Sequence, residues 1–176
     1  DYTECFQYIT PVFRKHDLVI VNLETTLSQT PPYYGHPAFS SPAALAPAMN
    51  SAGIDVALLA NNHPCDRGAS GIRGTTDALD AAGIQHTGAF ASESRMKADN
   101  PLIIDRKGFR ILIYNYTYGT NGVKTPAGMF VNRIDTTAIA RDLASVATQP
   151  NDIRLVCMHW GEEYRTAASP QQRKTE

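Results

Sequence analysis

Three short stretches hold the side chains best suited to chemistry: Asn22-Leu23-Glu24, Asn61-Asn62-His63 with Asp66 and Gly68 close behind, and His159-Trp160-Gly161-Glu162-Glu163-Tyr164. Together they offer a carboxylate, an amide oxygen and two imidazoles. A carboxylate and a histidine are ligands for divalent transition metals, and an amide oxygen can join them. Two such ions a few ångströms apart clamp a phosphate and activate water for in-line attack. A histidine beside them can protonate the leaving oxygen or stabilise charge on the transferred group. Taken singly, each residue has a plainer explanation. Asn61 suits a turn, because asparagine tolerates left-handed backbone and bonds its own chain. Glu24 suits a solvated loop, a lone histidine after a strand suits a structural or surface position, and Trp160 suits packing. Asp66 is expected to cap the helix that follows it.

What favours a site is the position of the three clusters. Each directly follows an apolar run that reads as a buried strand: Asp17–Asn22, Asp55–Ala60 and Ile153–Met158. In open α/β sheets, ligands bind beyond the carboxyl ends of the strands. The intervening segments supply the expected helices. Thr3 to about Lys15 presents Phe6, Ile9 and Phe13 on one face, with Pro11 as a kink point. Ser41-Pro42 predicts a helix start running to Ala52-Gly53. Helices are also expected from Gly71 to Ala82, ending at Gly83, and from Asp135 to Ala147; a polar helix begins at Gln171. A short strand is expected near Gln85–Thr87, and Pro101–Asp105 with Phe109–Asn115 reads as a hairpin around Arg106-Lys107-Gly108, with the glycine in the turn. Gln29–Ser40 and Thr117–Gly128 read as loops, and the Thr117–Asn121 part of the second presents hydroxyls and amides that could meet substrate, although Gly119 and Gly122 also explain it as turn chemistry. Tyr33, Tyr34 and His36 in the first loop could line or cover a pocket, or simply pack. The repeated strand–loop–helix rhythm argues for one α/β domain over residues 1–176, with a largely parallel sheet and the hairpin suggesting a mixed or second sheet.

Bulk properties agree. The chain has 176 residues, 43% hydrophobic and 19% charged, the profile of an ordinary globular domain. A net charge of −1 gives no electrostatic case for nucleic acid or an anionic membrane. No apolar run is long enough to span a bilayer. Cys5, Cys65 and Cys157 are odd in number and lack CxxC spacing, so neither a disulfide framework nor a zinc ribbon is indicated.

The runs DLVIVNLETTL, HPAFSSP, AGIDVALLANNHPCDRG and HWGEEY, in that order, resemble the bacterial capsule-synthesis family of CapA type, linked to poly-γ-glutamate capsules. That family is similar to the calcineurin-like metallophosphoesterases. The resemblance implies a two-sheet α/β sandwich flanked by helices (αββα), truncated at both ends: a first strand ending in Gly-Asp and a closing His-rich motif are expected in the family and not present here. Residue by residue, Asn62 resembles the metal-ligand asparagine of the phosphoesterase Gly-Asn-His motif, His63 its catalytic histidine, and His159 a metal-ligand histidine after a later strand. Glu24 resembles a bridging carboxylate, where the phosphoesterases usually offer Asp. Asn22 is expected to orient Glu24 or meet substrate, and Asn61, Asp66, Glu163 and Tyr164 to support or shape the pocket.

The expected function is therefore a metal-dependent phosphoesterase-like hydrolase, or a transferase using the same site, in cell-envelope polymer synthesis. Its cofactors would be two divalent ions (Mn, Fe, Zn or Mg) in the full-length protein, with a reduced or empty set in this piece. Its partners would be an anionic polymer or phosphorylated small molecule and membrane capsule-assembly proteins, and its location exported or at the cell envelope. The alternatives are a non-catalytic exported scaffold that binds the polymer, and a small-molecule-binding α/β protein unrelated to phosphate.

Overall fold

The computed structural model describes residues 2–175. A short 3₁₀ turn, Thr3–Phe6, precedes α1 (Thr10–Phe13), then β1 (Ile20–Asn22), β2 (Leu27–Ser28), β3 (Ser41–Pro42) and α2 (Leu45–Ala52). Next come β4 (Val56–Leu58), α3 (Gly68–Ala82), β5 (Gln85–Thr87), β6 (Ala89–Phe90) and α4 (Glu93–Asp99). The chain continues through β7 (Leu102–Arg106), β8 (Phe109–Thr117), β9 (Phe130–Val131), α5 (Thr136–Ser145), β10 (Ile153–His159) and α6 (Pro170–Thr175).

Two three-stranded sheets carry the α/β architecture. One is parallel, in the order β1-β4-β5; the other is mixed, in the order β10-β8-β7. The mixed sheet contains the expected hairpin. Lys107 and Gly108 turn it with φ of 50° and 85°, the paired positive values that a two-residue connection needs to match strand twist. β10 then joins β8 in parallel, from Ile153 opposite Ile111 to His159 opposite Thr117. Two small ribbons, β2-β3 and β6-β9, tie the connecting loops to these sheets.

The central strands β4 and β8 are largely apolar because both faces are used. In β4, Ala57 packs with Met49 of α2 and Leu79 of α3, whereas its neighbour Val56 joins a cluster with Leu102, Ile104, Ile111 and Ile113 of β7 and β8. In β8 the alternate residues Leu112, Tyr114 and Tyr116 face a third cluster with Ile139 and Leu143 of α5. Each buried Leu or Ile here contributes on the order of 1.5–3 kcal/mol of transfer free energy.

Several expected elements are corrected. The helix expected over Thr3–Lys15 is broken into the 3₁₀ turn and the single turn α1, where Pro11 sits at the helix start. Ser41-Pro42 does not open a helix: Ser41 N donates to Thr26 O and Ala43 N to Ser28 O, so the pair forms a strand and α2 waits until Leu45. α3 starts at Gly68, one turn earlier than Gly71. α4 was not anticipated, although Ser92 caps it by accepting from Arg95 N. The expected stops hold: α2 and α3 end at Gly53 and Gly83 in left-handed conformation.

Candidate functional site

The carboxyl ends of β1, β4 and β10 meet through a chain of side-chain amides. Asn61, 1% exposed, sits just past β4. Its Nδ2 donates to Leu23 O (2.8 Å) and Asn22 Oδ1 (3.1 Å), and its Oδ1 accepts from His63 N (2.9 Å). Asn22 passes the connection on, its Nδ2 donating to Glu24 Oε2 at 2.8 Å. Asn61 is thus more than a turn residue: it fixes the β1 and β4 loops to one another, and Asn22 orients the Glu24 carboxylate.

His63 is almost buried and is held from both sides. Its Nδ1 lies 2.7 Å from Asp66 Oδ2, and the Phe39 ring packs 4.4 Å from its own. The same Asp66 oxygen accepts from Phe39 N at 2.6 Å. A carboxylate can only accept, so Nδ1 carries the proton and Nε2 presents a lone pair. Nε2 faces Asn121 Nδ2 at 3.4 Å. The expected capping role of Asp66 is corrected by this geometry. The residue before α3 is Arg67, with no side-chain cap, and Asp66 is spent on His63 and Phe39.

Asn62 joins the two sheets. Its Nδ2 donates to Asn121 Oδ1 (3.2 Å), and its Oδ1 lies 2.9 Å from His159 Nε2 at the end of β10. His159 stacks on Tyr118, with centroids 6.1 Å apart, and its Nε2 is 4.0 Å from Glu24 Oε1. The side chains of His159 and Glu24 are 26% and 42% exposed, so both remain open to solvent.

Glu24, Asn62 and His159 therefore converge, and they offer one carboxylate oxygen, one amide oxygen and one imidazole nitrogen. That donor set suits a borderline divalent ion with open coordination positions. Among the described residues no group of three or more His, Cys, Asp or Glu side chains is placed to hold a metal; a metal at this place would have the Asn62 amide as its third donor. Glu163 and Tyr164 stay outside the constellation. Both are exposed, and Tyr164 is fully solvated with φ of 61°.

Two further residues support the arrangement: Asn121, from the Thr117–Asn121 segment whose amides could meet substrate, and Asn115, which the sequence reading did not single out. Asn121, in the loop after β8, bonds both Asn62 and His63. Asn115, buried in β8, accepts from Ala60 N (2.6 Å) and donates to Ala60 O (3.3 Å) and Cys157 O (3.2 Å). An amide interrupting the apolar run ILIYNY was the available signal. Gly88 makes room for it: at φ of 99°, a Cβ there would lie 2.6 Å from Ala60 N and still closer to Asn115 Oδ1. His86 is buried elsewhere, against Asp80, and burial holds its imidazole below the usual histidine range.

The sequence profile described as bacterial capsule synthesis protein (PGA_cap) matches residues 1–176. The chain belongs to this bacterial capsule synthesis family. Among relatives, a probable polyglutamine synthesis accessory protein of Mycobacterium tuberculosis is 28% identical over 171 residues, covering 88% of this chain and 44% of its own length. The capsule biosynthesis protein CapA of Bacillus anthracis is 31% identical over 130 residues, covering 71% of this chain and 31% of its own length. The chain thus spans less than half the length of these capsule synthesis relatives. No helix among its described residues is long and apolar enough to cross a membrane.

Proposed function

We propose that this capsule synthesis domain carries part of a metal-dependent phosphoesterase-like site that hydrolyses or transfers at a phosphate-type centre during cell-envelope polymer synthesis, with poly-γ-glutamate, the polymer that the resemblance to the CapA-type family implies, as the polymer class. The observation that carries this reading is the Asp66–His63 pair set against the converging Glu24, Asn62 and His159. The two three-stranded sheets, with α2 and α3 packed against one and α5 against the other, support a reading as the αββα sandwich that such a site would need, and residues 1–176 would form one domain of it.

The roles follow from the geometry. Asp66 holds the Nδ1 proton of His63, leaving Nε2 as the atom that takes a proton and later returns it to the leaving oxygen; the carboxylate stabilises the intervening imidazolium. Asn61 and Asn22 set Glu24, Asn62 positions its amide oxygen beside His159, and Tyr118 fixes the plane of the His159 ring. Divalent ions, two in the full-length protein and drawn from Mn, Fe, Zn or Mg, would be held by Glu24, Asn62 and His159 and would supply Lewis acidity toward the phosphate oxygens. The substrate is an anionic polymer or phosphorylated small molecule, and the setting is the cell envelope beside membrane assembly proteins.

A second reading is a non-catalytic scaffold on the same fold. It draws on the lack, among the described residues, of a cluster of three ionisable ligands. Hydrolysis of chromogenic phosphate mono- and diesters by the full-length protein, with Mn supplied or chelated, separates the two. Metal-dependent turnover that His63→Ala removes is the expected result. Turnover unchanged by His63→Ala, or none from protein with metal verifiably bound, would transfer the assignment to the scaffold.

A further inference from the structure

A second groove adjoins the chain segment that carries Phe39, with Ser40 and Arg67 in its wall. Between β2, the 29–34 loop and the first turns of α3 runs a cavity of about 520 Å³. Its wall includes Ser28, Thr30, Pro31, Tyr34 and Ser70, and a single charged residue, Arg67. Among the described residues no acidic side chain lines it.

Arg67 is placed as a receptor for an anion. Its guanidinium carbon sits 4.0 Å over the Tyr34 ring, and Nη2 donates to Ala38 O, so the side chain is fixed in position and plane. It forms no ion pair among the described residues. The adjacent carboxylate, Asp66, is consumed by His63 and Phe39 N. The Arg67 Nε is buried without a hydrogen-bond partner, while the residue as a whole is half-buried. A charged donor left unmatched is unfavourable unless an acceptor arrives. A planar fork beside hydroxyls is matched by the two oxygens of a carboxylate or by a phosphate.

We propose that this groove is an oxyanion subsite in which Arg67, held by Tyr34 and Ala38, receives a carboxylate or phosphate group. Thr30 and Gln29, exposed on the open wall, supply further donors. The subsite stands whether or not His63 performs hydrolysis.

Binding is measured in chelator-containing, low-salt buffer with the whole chain. One arm uses fluorescein-labelled pentaglutamate followed by anisotropy; the other uses inorganic phosphate followed by calorimetry. Wild-type protein is expected to bind, and Arg67→Gln to weaken binding tenfold or more. Thr30→Glu, which leaves Arg67 and its contacts in place but sets a carboxylate on the exposed wall, is expected to do the same with an unchanged melting temperature. Loss confined to the glutamate arm identifies a carboxylate ligand, and loss in both identifies a general oxyanion site. Absence of binding in both arms, or binding that survives both substitutions, overturns the proposal.

Discussion

The two histidines of the candidate site are held in opposite ways. His63 follows a central strand, is 7% exposed, and has Asp66, Phe39 and Asn121 around its ring. His159 ends β10, the edge strand of its sheet, with one hydrogen bond from its ring to Asn62 and a stacking contact with Tyr118. A proton-transfer group benefits from the first arrangement, where orientation is set before substrate arrives. A metal ligand can accept the second, since a bound ion supplies the missing constraint. The difference separates a rigid half of the site from an open half, and it can be tested.

The largest expected effect lies beneath the rigid half. Gly88→Ala would drive a Cβ into Ala60 N and the Asn115 amide, at a φ of 99° that L residues rarely adopt. Ala60 leads directly into Asn61, so the strain falls on the turn that carries His63. Chemical denaturation is expected to show a loss of about 3 kcal/mol or more. A loss below about 1 kcal/mol would mean that the turn yields easily and is not rigid.

The next effect compares one carboxylate from each half. Asp66→Ala removes the single oxygen that accepts from both His63 Nδ1 and Phe39 N. Activity of the full-length protein is expected to fall at least tenfold, with about 1 kcal/mol of stability lost. Glu24→Gln alters a half-exposed carboxylate. It is expected to weaken metal binding by about 10–100-fold while changing stability by less than about 0.5 kcal/mol. Equal stability losses in the two variants would erase the distinction between the halves.

The same contrast governs what could be read from the sequence. Strand β4, the β7-β8 hairpin and the glycine stops of α2 and α3 were legible, because period, turn chemistry and caps are local signals. The positions of Glu24, Asn62, His63 and His159 at strand ends followed from those strands. Asp66 was misjudged because its partner, Phe39 N, lies 27 residues away, and a capping residue looks the same in sequence. Ser41-Pro42 failed for a similar reason: the hydrogen bonds from Ser41 and Ala43 to Thr26 and Ser28 outweighed a good local helix start. Asn115 and Gly88 act as a pair across the two sheets, and neither position alone announces the other. Glu163 and Tyr164 follow β10 on an exposed segment, so their sequence proximity to His159 did not bring them into the site.

The smallest effect uses two thiols as reporters. Cys65 lies within the rigid turn and is 1% exposed, whereas Cys157 sits half-buried on β10; burial pushes both thiols above their ordinary range. Little thiolate is present at neutral pH in either case, so access limits the reaction with a thiol reagent. For Cys157, access requires only fraying of an edge strand. For Cys65 it requires opening of the turn packed against Ile72 and Met129, an event close to global unfolding. After exposed Cys5 has reacted, Cys157 is expected to label at least tenfold faster than Cys65. The Cys65 rate should rise in Gly88→Ala in step with its lost stability, and the Cys157 rate should change less. If Cys65 labels first, or if both rates move together, the two halves open as one unit and His159 is as firmly held as His63.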